Sequence, residues 1–123
     1  MTNTVSSIGW FEIAASDQAK AEAFYGDLFG WSFGDGPTGP AYRIAETGGL
    51  PGGITTAQAG VPSTYAIFSV MVPDTAAACE RIAELGGRVL VGPETMGETG
   101  LVFANVEDPD GNHFGVFTPP AEG

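Results

Sequence analysis

Short runs of apolar, aromatic and β-branched residues alternate with glycine-rich polar breaks along most of the chain, and twice the apolar period lengthens to that of a helix. The runs Ile8–Ala15 and Tyr65–Val72 predict strands. They end at Ser16-Asp17 and Pro73-Asp74, where the aspartate can accept from the free amides of a helix start. Ala21, Phe24, Tyr25 and Leu28 then fall on one apolar stripe, as do Ala78, Ile82 and Leu85. Glycine stops both helices, at Gly30 and at Gly86-Gly87. Short strands follow each one: Trp31–Phe33, Ala41–Ala45 and Gly52–Thr55 after the first, then Arg88–Val91, Leu101–Val106 and Asn112–Phe117 after the second. The run Asp108-Pro109-Asp110-Gly111-Asn112 predicts the tight reversal of a terminal hairpin.

The two patterns are one pattern repeated. At a constant offset of 57 residues Phe11 meets Phe68, Asp17 meets Asp74, Ala19 meets Ala76, Ala21 meets Ala78, Leu28 meets Leu85 and Gly30 meets Gly87. Each half reads β-α-β-β-β, module one over 6–60 and module two over 64–120, joined through Gly60-Val61-Pro62-Ser63. The expected fold is α+β: one domain over 1–123 whose two tandem modules form a curved mixed sheet, with a concave cup inside and helices outside. A binding site belongs in that concavity.

Composition narrows the partners. Asp and Glu number 15 against 4 Lys and Arg, a formal charge of −11. Only Lys20, Arg43, Arg81 and Arg88 are cationic. Nucleic acid and anionic membrane surfaces need clustered cations, so neither is an expected partner. Phosphorylated substrates are disfavoured on the same ground. The single cysteine, Cys79, cannot form an internal disulfide, Met1–Ala15 lacks the pattern of a secretory leader, and Tyr65–Val72 is too short to span a bilayer. A cytoplasmic protein is expected.

The segments Trp10-Phe11-Glu12-Ile13 with Asp17, Ala23-Phe24-Tyr25, Leu28-Phe29-Gly30-Trp31, Leu85-Gly86-Gly87 and Asp108–Asn112 resemble the vicinal oxygen chelate superfamily over essentially the whole chain. That group includes glyoxalase I, extradiol dioxygenases, fosfomycin-resistance enzymes and bleomycin-binding proteins. The resemblance implies a fold rather than an activity. Its enzymes usually hold a divalent metal with His, Gln or Glu on the inner strands. Carried onto this sequence, the ligand positions fall at Trp10, Ile67 and Gly115, with the fourth around Gly53-Ile54. None of these side chains coordinates a metal, and one His and one Cys in the whole chain leave little to replace them. No cofactor is expected.

Strand alternation, taken from those positions, turns Trp10, Glu12, Ile67, Ser69, Met71, His113, Gly115 and Phe117 to the cup. Phe11, Ile13, Phe68, Val70, Phe114 and Val116 should then pack under the helices. The ligand-binding candidates are Trp10, Ile67, Ser69, Met71 and Phe117, an apolar lining suited to a small apolar or aromatic organic molecule. Trp10 either offers that molecule a stacking face or plugs the cup. Glu12 and His113 are the acid/base candidates, unless Glu12 merely pairs with Arg43 or meets water and His113 is a surface residue beside its hairpin. Tyr42, Tyr65 and Phe103 are further aromatic candidates of unassigned facing, and Cys79 should be a small buried side chain. The leading reading is a small-molecule-binding protein without the family metal. Its alternative is a metal-independent isomerase, hydrolase or cyclising enzyme, and a metal-dependent lyase or dioxygenase is disfavoured. The family's habit implies a homodimer.

Overall fold

In a computed structural model that describes residues 5–56 and 58–120, the elements follow in the order β1 (Ile8–Ala14), α1 (Gln18–Phe29), β2 (Ser32–Gly36), β3 (Gly39–Glu46), β4 (Gly52–Thr55), β5 (Tyr65–Met71), α2 (Thr75–Glu84), β6 (Arg88–Thr95), β7 (Val102–Glu107) and β8 (His113–Thr118). The first four residues of the expected leaderless N-terminus lie outside the described residues. The chain is α+β with mixed strand pairing, and β-α-β-β-β occurs twice. Among the described residues no helix is long and apolar enough to cross a membrane.

Contacts gather into two units, Trp10–Phe68 and a second that joins the segment ending at Gly9 to the chain from Ser69 onward. In the first unit the strands lie in the order β2-β3-β4-β1. There β1 runs parallel to β4, with Phe11 beside Gly52 and Glu12 beside Gly53, and β3 is antiparallel to both β2 and β4. In the second, which takes β5 from Ser69 onward, the order is β5-β8-β7-β6, with that part of β5 parallel to β8 and β7 antiparallel to both of its neighbours.

Both helices start as the sequence leads one to expect. Asp17 accepts the Lys20 amide and Asp74 the Ala77 amide, each at 3.1 Å, which satisfies an otherwise orphaned donor of the first turn. Gly30 closes α1 in the left-handed region at φ 75°, with its amide bonded to the Gly26 carbonyl. The terminal reversal is tied by Asp108, whose carboxylate accepts the Asp110 and Asn112 amides at 2.9 Å. These bonds, with the Asn112 side chain foremost, hold the Asp108 carboxyl below its usual range.

Burial is completed differently in the two units. The second has an ordinary core of Cys79, Ala104, Val106 and Val116, packed against Val70, Val72, Ile82, Val89 and Phe114. Burial pushes the Cys79 thiol up, which fits a packing role. In the first unit, Ile13, Ala14, Ala45 and Ile54 are buried, but no residue of α1 is. Polar bonds anchor that helix instead. Gln18 Nε2 donates to the carbonyls of Ala41 and Ile54 at 2.9 and 2.7 Å, and Arg43 forks onto Glu22 while its third nitrogen reaches Asp35.

Two expectations are corrected here. The stripe Ala21-Phe24-Tyr25-Leu28 does not face the sheet as one band: Tyr25 stacks on Trp31 beside Phe11, whereas Phe24 and Leu28 are 60% and 59% exposed. A 3.6-residue period permits a stripe wider than the strip of sheet beneath it, and tilting Tyr25 inward turns its neighbours out. Phe68, expected under a helix, is 47% exposed, because strand alternation fixes which side a residue takes but not whether a helix covers that point of the strand.

Candidate functional site

Alternation along β1 puts Trp10 and Glu12 on one face, opposite to Phe11 and Ile13. The neighbouring strand contributes Gly53, and the next contributes Tyr42, which shares a face with Ile44, the residue paired with Gly53. With no side chain at Gly53, the Tyr42 ring lies flat across β4: a Cβ there would stand 2.2 Å from the Tyr42 hydroxyl and 2.3 Å from its ring. The phenol thereby reaches Glu12 and donates to its Oε1 at 2.7 Å. From β5, the Tyr65 hydroxyl donates to the other carboxylate oxygen at 2.5 Å. Trp10 completes the chain, its Nε1–H donating to the Tyr42 hydroxyl at 2.9 Å. The result is one half-buried carboxylate receiving two phenols, with an indole behind one of them.

Electrostatics keep the two phenols of that arrangement protonated. Burial, and then the adjacent Glu12 carboxylate, push the Tyr42 hydroxyl far above its ordinary range, and the same causes in the same order raise Tyr65. Both remain phenols, and therefore donors, at neutral pH. Because the folded-state values are raised, their contribution to stability is complete below the unfolded tyrosine value of about 10. It is lost as pH climbs beyond that towards the folded values. Phenolate absorbance near pH 10 is accordingly expected to fall well short of that of the unfolded chain, with the remainder appearing as the protein unfolds in stronger alkali. A full three-tyrosine titration near pH 10 with the fold intact would contradict the geometry.

Each of the other candidates has a definite place. Ile67 lies two residues beyond Tyr65 on β5, on the same face and half-buried. In the second unit, Ser69 sits opposite Gly115, where a Cβ would come within 2.4 Å of the serine hydroxyl oxygen. Met71 pairs with Phe117, and both crowd Gly9, so they form a common apolar wall there. His113 is half-buried, and its Nε2 lies 2.8 Å from Asn105 Oδ1. It is thus tied to a neighbouring strand rather than standing free beside its hairpin. Phe103 pairs with Phe117 across β7 and β8.

The suggested Glu12–Arg43 pair does not form. Arg43 sits one residue along β3 from Tyr42, so its side chain emerges on the opposite face, where Glu22 and Asp35 hold it. Sequence reading left Tyr42 and Tyr65 unassigned and did not single out Asn105, which is only 4% exposed. A signal for Tyr42 was present in the glycine pair Gly52-Gly53 inside a strand, a mark of close approach by a bulky neighbour. Asn105 carried no comparable signal, because burial of one Asn on a strand depends on register.

The family's metal positions can be tested against these surroundings. Trp10 has no lone pair to offer and spends its N–H on Tyr42, Ile67 has no donor atom, and Gly53 and Gly115 have no side chains. The volume that a ligand at those two glycines would need is filled by Tyr42 and by Ser69. Among the described residues no three His, Cys, Asp or Glu side chains gather as a metal would require. The residues present do not fit the family metal.

Comparison with known proteins agrees with the fold. The model of the Glyoxalase/Bleomycin resistance protein/Dioxygenase superfamily matches residues 7–116. A glyoxylase-like domain-containing protein of Didymella fabae is 30% identical over 123 residues, covering 94% of this chain and 95% of that protein. CFP32 of Mycobacterium tuberculosis (strain CDC 1551 / Oshkosh), which carries a glyoxylase name, is 27% identical over 119 residues, covering 88% of this chain and 44% of that protein. The chain therefore spans about half the length of the latter relative. The crystal structure of a superfamily member from Vibrio splendidus 12B01 superposes with a TM-score of 0.64 at 15% identity, over 94% of this chain and 99% of that one. With a match of this extent along its length, the chain belongs to the Glyoxalase/Bleomycin resistance protein/Dioxygenase superfamily.

Proposed function

We propose that this protein binds a small apolar or aromatic organic molecule without the metal that the superfamily usually employs, and that the Trp10–Tyr42–Glu12–Tyr65 cluster with Ile67 is the surface that receives it. The observation that carries this reading is that the metal-ligand positions are held by Trp10, Ile67 and glycines, with aromatic side chains gathered around one carboxylate beside them. Aromatic walls supply the affinity of such a site, and a few fixed polar groups orient the ligand. On the second unit, Ser69, Met71, Phe117 and His113 form a further candidate surface of the same kind. Nothing in this reading requires a cofactor.

A second reading is favoured by the two phenols held on Glu12. A carboxylate fixed in place by two donors suits a metal-independent isomerase, hydrolase or cyclising enzyme with Glu12 or His113 as acid/base, the phenols orienting Glu12 rather than giving up their own protons. A cytoplasmic homodimer completes the proposal, and the exposed Phe24, Leu28 and Phe29 on α1 support self-association.

The test is a panel of neutral and charged aromatic compounds, followed by thermal unfolding and by the indole N–H signals of Trp10 and Trp31 in nitrogen-edited NMR spectra. Ligands are expected to stabilise the fold and to move the Trp10 signal while leaving Trp31 in place, because Trp31 lies in the α1 aromatic cluster. A panel in which no compound does either would overturn the binding reading.

A further inference from the structure

Among the described residues the Glu12 carboxylate has hydrogen bonds but no ion-pair partner. Its two oxygens accept one phenol each, which occupies about two of the roughly four lone-pair directions of a carboxylate. Both donors are neutral and bring no positive charge to it. No lysine, arginine or histidine forms an ion pair with Glu12 among the described residues. The nearest candidate by strand position, Arg43, is on the other face and committed to two other carboxylates. A half-buried carboxylate flanked by three aromatic side chains normally has a cation beside it or pays for its desolvation elsewhere.

Trp10, Tyr42 and Tyr65 are also the side chains that favour such a cation. Aromatic rings attract a positive charge through their quadrupoles, and rings combined with one carboxylate make up a common receptor for ammonium groups. The strongly acidic chain raises the local concentration of cations over anions as well. All four side chains are half-buried rather than sealed, so the group is within reach of solvent.

We infer that the ligand class of this site is the organic cation: a quaternary or protonated amine on an apolar or aromatic frame, its nitrogen against Glu12 and its frame along Trp10 and the two tyrosines. This rests on the binding reading above and sharpens it. Carboxylates, phosphate esters and other anions are excluded by the same uncompensated charge.

The experiment compares isosteres that differ only in charge: phenyltrimethylammonium against tert-butylbenzene, and choline against the dimethylbutanol that replaces its nitrogen by carbon. Binding is read from the Trp10 indole signal in the full chain. The cation of each pair is expected to bind at least about tenfold more tightly than its neutral partner. Glu12→Gln should remove most of that preference. Asp27→Asn, which deletes one charge from the exposed face of α1, should change it less than about twofold, since general attraction to an acidic protein barely distinguishes the two variants.

Equal binding of cation and neutral isostere would overturn the inference while leaving the binding reading intact. So would equal losses in the two variants. Silence of the Trp10 signal towards every cation, with a response to neutral aromatics, would also overturn the inference alone, whereas silence towards all compounds would remove both. The wild-type comparison decides the matter even if Glu12→Gln does not fold.

Discussion

Gly53→Ala is expected to dismantle the site while leaving a folded protein. The added Cβ would lie 2.2 Å from the Tyr42 hydroxyl, well inside any tolerated contact, and the ring cannot slide along the strand without leaving Glu12. Tyr42 must therefore swing off β4. Overpacking of this kind costs on the order of 1–3 kcal/mol. More telling is the loss of two linked hydrogen bonds, from Tyr42 to Glu12 and from Trp10 to Tyr42. Chemical denaturation should register the first effect, and a large shift of the Trp10 indole N–H with loss of ligand response the second. The same substitution at Gly34, an exposed glycine of β2 where a Cβ meets nothing within 4 Å, is the control and should leave the Trp10 signal in place.

The next residue along the same strand gives the opposite result. Ile54 is completely buried and, by alternation, points away from Tyr42; it lies beside Ile13 on one side and Arg43 on the other. Ile54→Ala leaves a cavity that a strand held on both edges cannot collapse to fill. A loss of about 2–5 kcal/mol is expected, the range for a fully buried aliphatic side chain cut to alanine. In whatever fraction remains folded, Glu12, Tyr42 and Trp10 should keep their bonds, so ligand affinity per folded molecule should change little. Denaturant unfolding paired with the NMR titration separates the two effects, and an Ile54 variant that lost binding without losing stability would contradict the assignment of faces.

These two neighbours also show which parts of the molecule were readable beforehand. The repeat, the caps at Asp17 and Asp74 and the turn at Asp108–Asn112 were legible because each rests on residues a few positions apart, or on a copy of the same pattern. Strand parity placed Trp10 and Glu12 together on one face for the same reason. Their partners were not legible. Tyr42 and Tyr65 stand 30 and 53 residues from Glu12, and only the register of β1 with β4 and of β4 with β3 brings the first of them in. The outward turn of Phe24 and Leu28 escaped for a similar reason. Helical periodicity says that residues share a side, but not how much sheet lies beneath them, and here the anchors are Gln18 and Glu22 rather than the apolar stripe.

The positions Trp10, Ile67, Gly53 and Gly115, where the family resemblance puts the metal ligands, hold no fitting donor set, and the proposed function accordingly separates this chain from the metal-dependent chemistry of its superfamily. On the same proposal, the half-buried cluster around Glu12 receives an organic ligand rather than an ion. Elemental analysis by mass spectrometry tests that separation most directly, on untagged protein produced with mixed divalent metals and purified without chelator. Far less than one metal per chain is expected, with the Trp10 indole signal unchanged by chelator. One equivalent of a divalent metal that survives purification, and whose removal moves that signal, would contradict it.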